Sequence, residues 1–392
     1  MDIAIIGSSG AGLPCSIFLK KKHPDWNVSV FDHNLKVGKK LLATGNGHCN
    51  LLNISARPED YNCPEFLAPY FLKFPYAKLI DALNSLGIAT MEMGDLVYPL
   101  SFSSNGYVDA LASLSQQLGN RFHLGVRILD YKKRGNGYLL TTNCGDFACD
   151  KIIFATGGKS GKNLGSDGSL FPVFEKHCYS ISPLKPGLCP IVVKEDVSRL
   201  SGLRHRACVY SYSGTGENRT LVHEEEGEVL FKKDGLSGIV IFNTERMYAH
   251  SSEGSFEIVL DLFPDYRSEE LSGLLLALQK ANPAFATSFL PLPLFDYCLK
   301  CSGLSKLEQE GDFARFAKTL KSLFFHPKAV YPFEDSQVTV GGIEISNLLP
   351  TLESKKEKGV FFLGEVLNVD GPCGGFNLEW CLISAIALAS EL

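Results

Sequence analysis

Read as apolar against polar positions, the chain opens with a short continuous apolar run, Ile3-Ala4-Ile5-Ile6, which breaks into Gly7-Ser8-Ser9-Gly10-Ala11-Gly12. Helical spacing follows through Ile17, Phe18 and Leu19 and closes on Lys20, Lys21 and Lys22. A second apolar run, Val28-Ser29-Val30-Phe31, ends in Asp32. Short apolar runs bounded by turn residues predict buried strands, and basic residues in a last turn predict a helix end. The order is strand, glycine turn, helix, strand, acid.

Residues 61–118 carry helical apolar stripes, clearest at 77–83 and 108–114, and Ser103-Ser104-Asn105-Gly106 is a start signal for the second. Residues 122–128 predict a strand. Tyr138-Leu139-Leu140-Thr141-Thr142 and Phe147-Ala148-Cys149-Asp150, either side of Gly145, predict a small antiparallel meander. Lys151-Ile152-Ile153-Phe154 predicts a buried strand that stops in Ala155-Thr156-Gly157-Gly158. From Gly187 the texture changes to short alternating runs: Ile191-Val192-Val193, Ala207-Cys208-Val209-Tyr210, Glu228-Val229-Leu230-Phe231 and Phe256-Glu257-Ile258-Val259-Leu260. Turn signals at Gly214, Thr215 and Gly216 and at Asp234-Gly235 separate them, so an antiparallel barrel or sandwich is expected. Residues 266–325 return to helical spacing, at 269–278, 299–307 and 313–323. The chain then ends on Val338-Thr339-Val340-Gly341-Gly342-Ile343 and on a buried run, Val360-Phe361-Phe362-Leu363-Gly364-Glu365. A second glycine turn follows, Asp370-Gly371-Pro372-Cys373-Gly374-Gly375-Phe376-Asn377-Leu378, and an apolar helix runs from it to Leu388.

The first unit has the order of a dinucleotide-binding βαβ. Its glycines permit a sharp turn and let backbone N–H groups approach a pyrophosphate, which the helix N-terminus attracts. Asp32, 20 residues after Gly12, is placed to accept from a ribose. Ser9 stands where the middle fingerprint glycine belongs; either Ser9 takes an unusual backbone geometry or Gly10 supplies the close approach. The loop Lys36-Val37-Gly38-Lys39-Lys40-Leu41-Leu42-Ala43-Thr44-Gly45-Asn46-Gly47-His48-Cys49-Asn50 is rich in donors that can wrap a phosphate and a flat polar ring. A strand stopping in Ala155-Thr156-Gly157-Gly158 can bring bare backbone to the same ligand. Far along the chain, the turn at Gly374-Gly375 meets a second helix N-terminus.

Bulk numbers narrow the classes. The 392 residues, 45% of them hydrophobic, suffice for two or three domains. Net charge is −5 and no basic run interleaves with aromatics, so a small-molecule substrate is expected rather than nucleic acid. Met1-Asp2 has no basic n-region, and no apolar stretch approaches the ~20 residues that span a bilayer. A soluble, cytoplasmic protein outside the membrane is expected, its 12 cysteines reduced. Cys298 and Cys301 form a lone Cys-x-x-Cys; a zinc site needs a second pair, so packed or surface thiols and no metal are expected.

Two glycine turns at opposite ends of a chain, with a strand-rich insert between them, suggest a flavoprotein. The chain resembles the BaiN-like (YhiN-like) family of NAD(P)/FAD-dependent oxidoreductases. The matching stretches are residues 38–50, Ala155-Thr156-Gly157-Gly158 with Gly165-Ser166-Asp167-Gly168, Gly235-Leu236-Ser237-Gly238, and Gly341-Gly342 through Gly364-Glu365-Val366 to Gly374-Gly375-Phe376-Asn377-Leu378. The resemblance implies an α/β protein. Its Rossmann-like FAD-binding domain, of glutathione-reductase-like type, is in two parts, 1–186 and 329–392. A β-barrel substrate domain (187–265) is inserted in it, and a small helical cap (266–328) in the barrel. It implies FAD as cofactor: pyrophosphate at Gly7, Ser8, Ser9, Gly10, Ala11 and Gly12, ribose at Asp32 beside His33, adenine near Val126. The flavin ring is expected between Lys40, Thr44, Gly45, Asn46, Gly47, His48, Cys49 and Asn50 on one side and Gly364, Glu365, Asp370, Gly374, Gly375, Asn377 and Leu378 on the other. Ala155, Thr156, Gly157 and Gly158 are expected against the same cofactor. The chain departs from the family at Ser9, at His48 where arginine is usual, at Lys232-Lys233-Asp234 where relatives carry Thr-His, and at Ile239 where proline is common.

Relatives of this kind have been linked to reduction of conjugated oxo-steroid intermediates and to amine oxidation. The expected activity is hydride transfer from flavin N5 to a conjugated, enone-like molecule of steroid or bile-acid type. The alternatives are an amine oxidase using O₂ and a non-catalytic flavin-binding or sensing protein. Thr156 to Gly161 only partly echoes the fingerprint, so no dedicated NAD(P)H domain is expected, and NAD(P)H would bind transiently as electron donor. Catalytic residues are not assigned: Cys49, Cys373 and His48 are expected to pack.

Overall fold

Four consecutive buried apolar residues make β1 (Asp2–Ile6) the centre of a parallel sheet. Burying an isoleucine such as Ile5 fully is worth about 1.5–3 kcal/mol, and both faces of this strand are covered. The computed structural model describes residues 1–214, 219–251 and 255–392; Thr215 and Gly216 of the expected turn lie outside them. The chain divides into two compact units, Met1–Pro186 with Ser336–Leu392, and Gly187–Asp335.

In the first unit β1 leads through α1 (Gly12–Lys22) to β2 (Asn27–Asp32). Then come β3 (Leu52–Asn53), α2 (Pro64–Lys73), α3 (Tyr76–Ser85), β4 (Thr90–Met93), β5 (Leu96–Pro99), α4 (Ser104–Gln117) and β6 (Arg121–Leu124). A meander of β7 (Ile128–Arg134), β8 (Gly137–Thr142) and β9 (Gly145–Cys149) precedes β10 (Lys151–Phe154), α5 (Phe171–Lys176) and β11 (Ile181–Gly187). The second unit holds β12 (Ile191–Val193), β13 (Arg204–Ser213), β14 (Thr220–Phe231), β15 (Gly235–Ser237), α6 (Ile239–His250) and β16 (Phe256–Asp261). Its helices α7 (Ser268–Ala281), α8 (Ala286–Phe289), α9 (Leu292–Cys301) and α10 (Glu310–Lys321) are followed by β17 (Leu323–Phe325) and β18 (Pro327–Val330). The chain returns to the first unit as β19 (Val338–Ile343), β20 (Val360–Phe362) and α11 (Phe376–Glu391).

The central sheet runs β20-β10-β1-β2-β6, every pair parallel. Chain order reverses beside β1: β2 follows it on one side and β10 lies on the other. The crevice beyond the carboxyl end of β1 is therefore the switch point where open α/β sheets bind ligands. The expected Rossmann-like α/β class is the one found.

Several expected elements differ. Within 61–118 the stretch 90–99 is not helical but a β-hairpin, joined by β3 into a three-stranded sheet. Its Met-Glu-Met favours helix locally, but Gly94 turns at φ 61° and pairing with β5 prevails. The single strand expected at 122–128 is two, because Gly125 at φ 74° sends β6 into the parallel sheet and β7 into the meander. Helix α9 stops at Cys301, so 302–307 is not helical. Helix α6 has no counterpart in the alternating runs, since its buried face carries Asn243, Thr244, Glu245 and Arg246 beside Val240 and Ile241.

The second unit contains one seven-stranded sheet, β17-β16-β13-β14-β15-β12-β18. Its edge strands are consecutive in the chain, separated only by His326. That covalent joint curls the sheet on itself, and among the described residues no ladder pairs β17 with β18. Helices α7, α9 and α10 share its hydrophobic cluster: Leu271, Leu294, Phe313 and Phe316 pack with Ile258 and Phe325.

Candidate dinucleotide site

The first glycine turn is shaped by contacts that only glycine allows. Gly7 has φ 108°, and a Cβ there would lie 2.2 Å from the Ala155 carbonyl oxygen; at Gly12 it would lie 1.9 Å from the Gly7 carbonyl oxygen. The turn is pinned by Gly7 N donating to Phe31 O (2.8 Å) and Ala155 N to Ile6 O (2.8 Å). Ser9 is not among the residues of positive φ, so it fits the turn without left-handed strain. Gly10 instead faces α11: its Cβ would sit 3.3 Å from Cys381 Sγ. Ala11 and Gly12 bring α1 to the turn, and the first N–H groups of a helix have no partner within it.

Asp32 ends β2 beside this turn, and its carboxylate is saturated. Oδ2 accepts from Ser8 Oγ (2.6 Å) and Ser8 N (3.0 Å), and Oδ1 from Asn34 N (2.8 Å) and Asn34 Nδ2 (3.0 Å). Val126 lies next to it, its N–H donating to Asp32 O at 3.0 Å. His33 faces Asp167 at 4.0 Å, and Arg127 pairs with the same carboxylate at 2.9 Å. Against burial, the Ser169 hydroxyl and N–H and then that guanidinium hold the Asp167 carboxyl below the usual range.

Loop 36–50 folds back on the turn, with Gly38 N donating to Ser8 O at 2.9 Å. Lys40 Nζ reaches both oxygens of Glu365, at 2.6 and 2.9 Å, in an ion pair mostly shielded from solvent. Glu365 Oε1 also accepts from Thr339 N (3.0 Å), and Thr339 Oγ1 accepts from Lys159 N and Ser160 N. This network joins the loops that carry Lys40, Gly158 and Gly364. Asn46 and Cys49 take left-handed φ (53° and 59°), which asparagine tolerates best among non-glycine residues. Thr44 Oγ1 caps Leu41 O, Cys49 N donates to Thr44 O, and His48 N to Gly45 O. His48 stacks on Phe102 (3.9 Å) and its Nδ1 faces Phe102 O at 2.9 Å, so that nitrogen carries the proton. Burial pushes the Cys49 thiol up to about 11. Gly47 has open space where a Cβ would project.

The second glycine turn meets the first loop. Once the Asn50 amide is set to satisfy both ends, its oxygen accepts from Gly375 N (3.2 Å) and its nitrogen donates to Val97 O and Leu52 O. Gly375 has φ 99°, and a Cβ there would lie 2.6 Å from Leu52 O. Gly374 O accepts from Asn53 Nδ2 (2.9 Å). Asn377 is used internally: its amide bonds Gly371 N, Gly371 O and Pro372 O. Asp370 is buried, its N–H donating to Asn62 Oδ1. Gly364 (φ 64°) lets α11 close on α1, and its carbonyl accepts from the Trp380 indole. Leu378 stands near Gly10 at the α1–α11 contact. At β10, Gly157 (φ 69°) faces Glu365, and a Cβ on Gly158 would strike Thr339 Oγ1 at 2.2 Å. Ala155 is buried and Thr156 half-buried between them.

All these residues belong to one unit, and hydrogen bonds bring both ends of the chain to one crevice. Sequence reasoning missed Asn53, Asn62, Thr339 and Glu379, which hold the glycine turns from behind. No motif marks them; they are found only by pairing. Among the described residues no group of three or more His, Cys, Asp or Glu could hold a metal, and Cys298 is buried while Cys301 is exposed. No helix among them is long and apolar enough to cross a membrane.

Comparison with known proteins agrees with this geometry. The family model described as "HI0933-like protein Rossmann domain" matches residues 1–391, and the chain belongs to that family. It is 30% identical over 401 residues to a 3-dehydro-bile acid delta(4,6)-reductase of Clostridium scindens, covering 96% of this chain and 95% of the relative. It is 27% identical over 409 residues to a ribosomal RNA dihydrouridine synthase of Escherichia coli, covering 100% and 98%. Among solved structures, 3-ketosteroid delta1-dehydrogenase from Sterolibacterium denitrificans matches with a TM-score of 0.53 at 9% identity, over 100% of this chain and 98% of that one. The 3-ketosteroid-delta4-(5alpha)-dehydrogenase from Rhodococcus jostii RHA1 matches with a TM-score of 0.50 at 12% identity, over 99% and 95%. These two likenesses are of fold. The crevice suits FAD: glycines whose Cβ positions are occupied by backbone line it at both turns, and two helices begin there. The chain is a flavoprotein of this FAD-binding family.

Proposed function

We propose that the protein is an FAD-dependent reductase that saturates a carbon–carbon double bond conjugated to a carbonyl. The observation that carries this reading is the junction of loop 36–50 with both glycine turns, through Gly38–Ser8, Lys40–Glu365 and Asn50–Gly375. Such a junction leaves main-chain donors and one ion pair to orient a flat ring.

Bound FAD would supply hydride from its N5 position. The residues of this chain divide the holding between them. Main-chain N–H groups at Ser9, Gly10 and Ala11 and the α1 dipole would neutralise the pyrophosphate. Asp32 would bind the ribose by exchanging a hydrogen bond from Ser8 Oγ or Asn34 Nδ2 for one from a ribose hydroxyl, and Val126 would lie near the adenine. Residues 44–50 and 374–378 would hold the flavin ring, and the N-terminus of α11 would favour negative charge gained there. NAD(P)H, bound only in passing, is the proposed donor.

The substrate class follows from what the relatives' names share. A 3-dehydro-Δ4,6 steroid places its double bonds in conjugation with a 3-oxo group, and uridine places C5=C6 in conjugation with the C4 carbonyl. Either reaction is hydride addition to the electron-poor end of an enone. The 30% relative favours a steroid-like small molecule. The synthase relatives, at 27% and 25% identity, favour a second reading in which the ring is a uracil in ribosomal RNA. The net charge of −5 argues for the first, since RNA binding rests on basic surface.

The test is anaerobic mixing of FAD-loaded, pre-reduced protein with a 3-oxo-Δ4,6 steroid, and separately with undermodified ribosomal RNA. The expected result is return of oxidised flavin with matching loss of the dienone absorbance. Reoxidation by the RNA alone, with dihydrouridine formed, transfers the reading to uridine. Reoxidation by neither overturns it.

A further inference from the structure

Glu379 is the one acid in the first turn of α11, and its side chain is buried. Oε2 accepts from Asn53 N at 2.9 Å. Among the described residues no basic side chain pairs with it. The titratable groups that face it are Asp60, from the turn before α2, and Tyr76 of α3, whose hydroxyl donates to Glu92. Neither is a cation. The charged form is therefore supported by one N–H and the helix dipole, and opposed by burial and by Asp60.

The same asparagine extends in the other direction. Asn53 Nδ2 donates to Gly374 O at 2.9 Å, in the turn that opens α11. Glu379 N donates to Gly375 O at 2.9 Å. The carboxyl thus lies one helical turn behind the glycine pair, tied to it through main chain and through Asn53. Negative charge gained at that turn disfavours a second negative charge so close behind it, in surroundings that offer no counter-ion.

We propose that Glu379 takes up a proton from solvent when FAD bound at the two glycine turns is reduced. The inference rests on the flavin reading above. The step balances: a two-electron donor of the NAD(P)H class delivers a hydride to the cofactor, which gains one negative charge, and the donor leaves as NAD(P)⁺. One further proton passes from water to the Glu379 carboxylate, forming its O–H and cancelling that charge within the site. Burial already pushes this carboxyl up to about 7, so a small additional field moves it from mostly ionised to mostly protonated just above neutrality.

The test compares wild type with Glu379→Gln, both loaded with FAD, in spectroelectrochemical titrations at a series of pH values from neutrality upward. Two protons per electron pair change the reduction equilibrium a hundredfold per pH unit, about 59 mV; one proton gives tenfold, about 30 mV. Wild type is expected to follow the steeper line above pH 7 and E379Q the shallower one. Equal slopes overturn the proposal while leaving flavin binding intact. Wild type that takes up no FAD overturns the flavin reading and this inference together. Should E379Q fail to fold or load, the reduced-minus-oxidised infrared spectrum of wild type decides. A carboxylic acid C=O band gained on reduction supports the proposal, and its absence overturns it.

Discussion

At the scale of residues the site rests on positions where a side-chain atom cannot be added. Gly375 combines φ 99° with a Cβ position 2.6 Å from Leu52 O. Gly375→Ala is expected to cost about 1–3 kcal/mol from backbone strain alone, and more from the clash, and to abolish FAD retention. Urea unfolding and FAD fluorescence titration check both. Asp32 holds Ser8 and Asn34 by four hydrogen bonds, so Asp32→Ala should weaken FAD binding by roughly tenfold to a hundredfold, about 1–3 kcal/mol. Ser8→Ala frees one acceptor site on Asp32 and should bind FAD at least as tightly as wild type; weaker binding would mean that the ribose is held elsewhere. Glu379 gives a pH signature in the cofactor-free protein. Its carboxyl is raised from 4.5 to about 7 in the folded state, chiefly by burial, so the folded state binds the proton more tightly than the unfolded chain. Stability from this group is therefore present in acid and is lost as pH rises from 4.5 to 7, by at most about 1.4 kcal/mol per pH unit. Glu379→Gln should flatten that part of the stability profile, as read by denaturant midpoints across the window. The glycines and Asp32 were legible because a single residue type is required at each place. Glu379, Asn53 and Thr339 were not, because a buried polar residue that serves distant backbone leaves no local pattern.

At the scale of elements, capping and turn chemistry were legible where they acted alone. Ser103 was expected to open a helix, and its hydroxyl accepts from Gly106 N at 3.2 Å at the start of α4. Ser103→Ala should cost about 1 kcal/mol, measured as a lower urea midpoint. The buried strands β1, β2, β10 and β20 were legible for a similar reason: continuous apolar runs between glycines suit a sheet covered on both faces. Tertiary pairing overrode local preference elsewhere. Met91, Glu92 and Met93 belong to a strand because β5 and β3 extend their sheet. Helix α6 was hidden because it buries polar side chains, among them Thr244, bonded to Ser211 at 3.0 Å, and Asn243, bonded to Glu225 at 2.8 Å. A helix of that kind has no clean apolar stripe to read.

At the scale of the molecule, one hydrophobic cluster gathers residues from both ends of the chain, with Ile5 and Leu13 packed among Phe362, Trp380 and Ile383. The first turn, the Lys40 loop and the second turn are held together by this core, and the family match runs across both ends of the chain, residues 1–391. The curled sheet and its helices form a separate hydrophobic cluster. The measurement that bears most directly on the central claim is the visible absorption spectrum of protein incubated with excess FAD and freed of unbound cofactor by gel filtration. One flavin per chain, absorbing in the blue and lost in Gly375→Ala, is the predicted result. A colourless wild-type protein would contradict it.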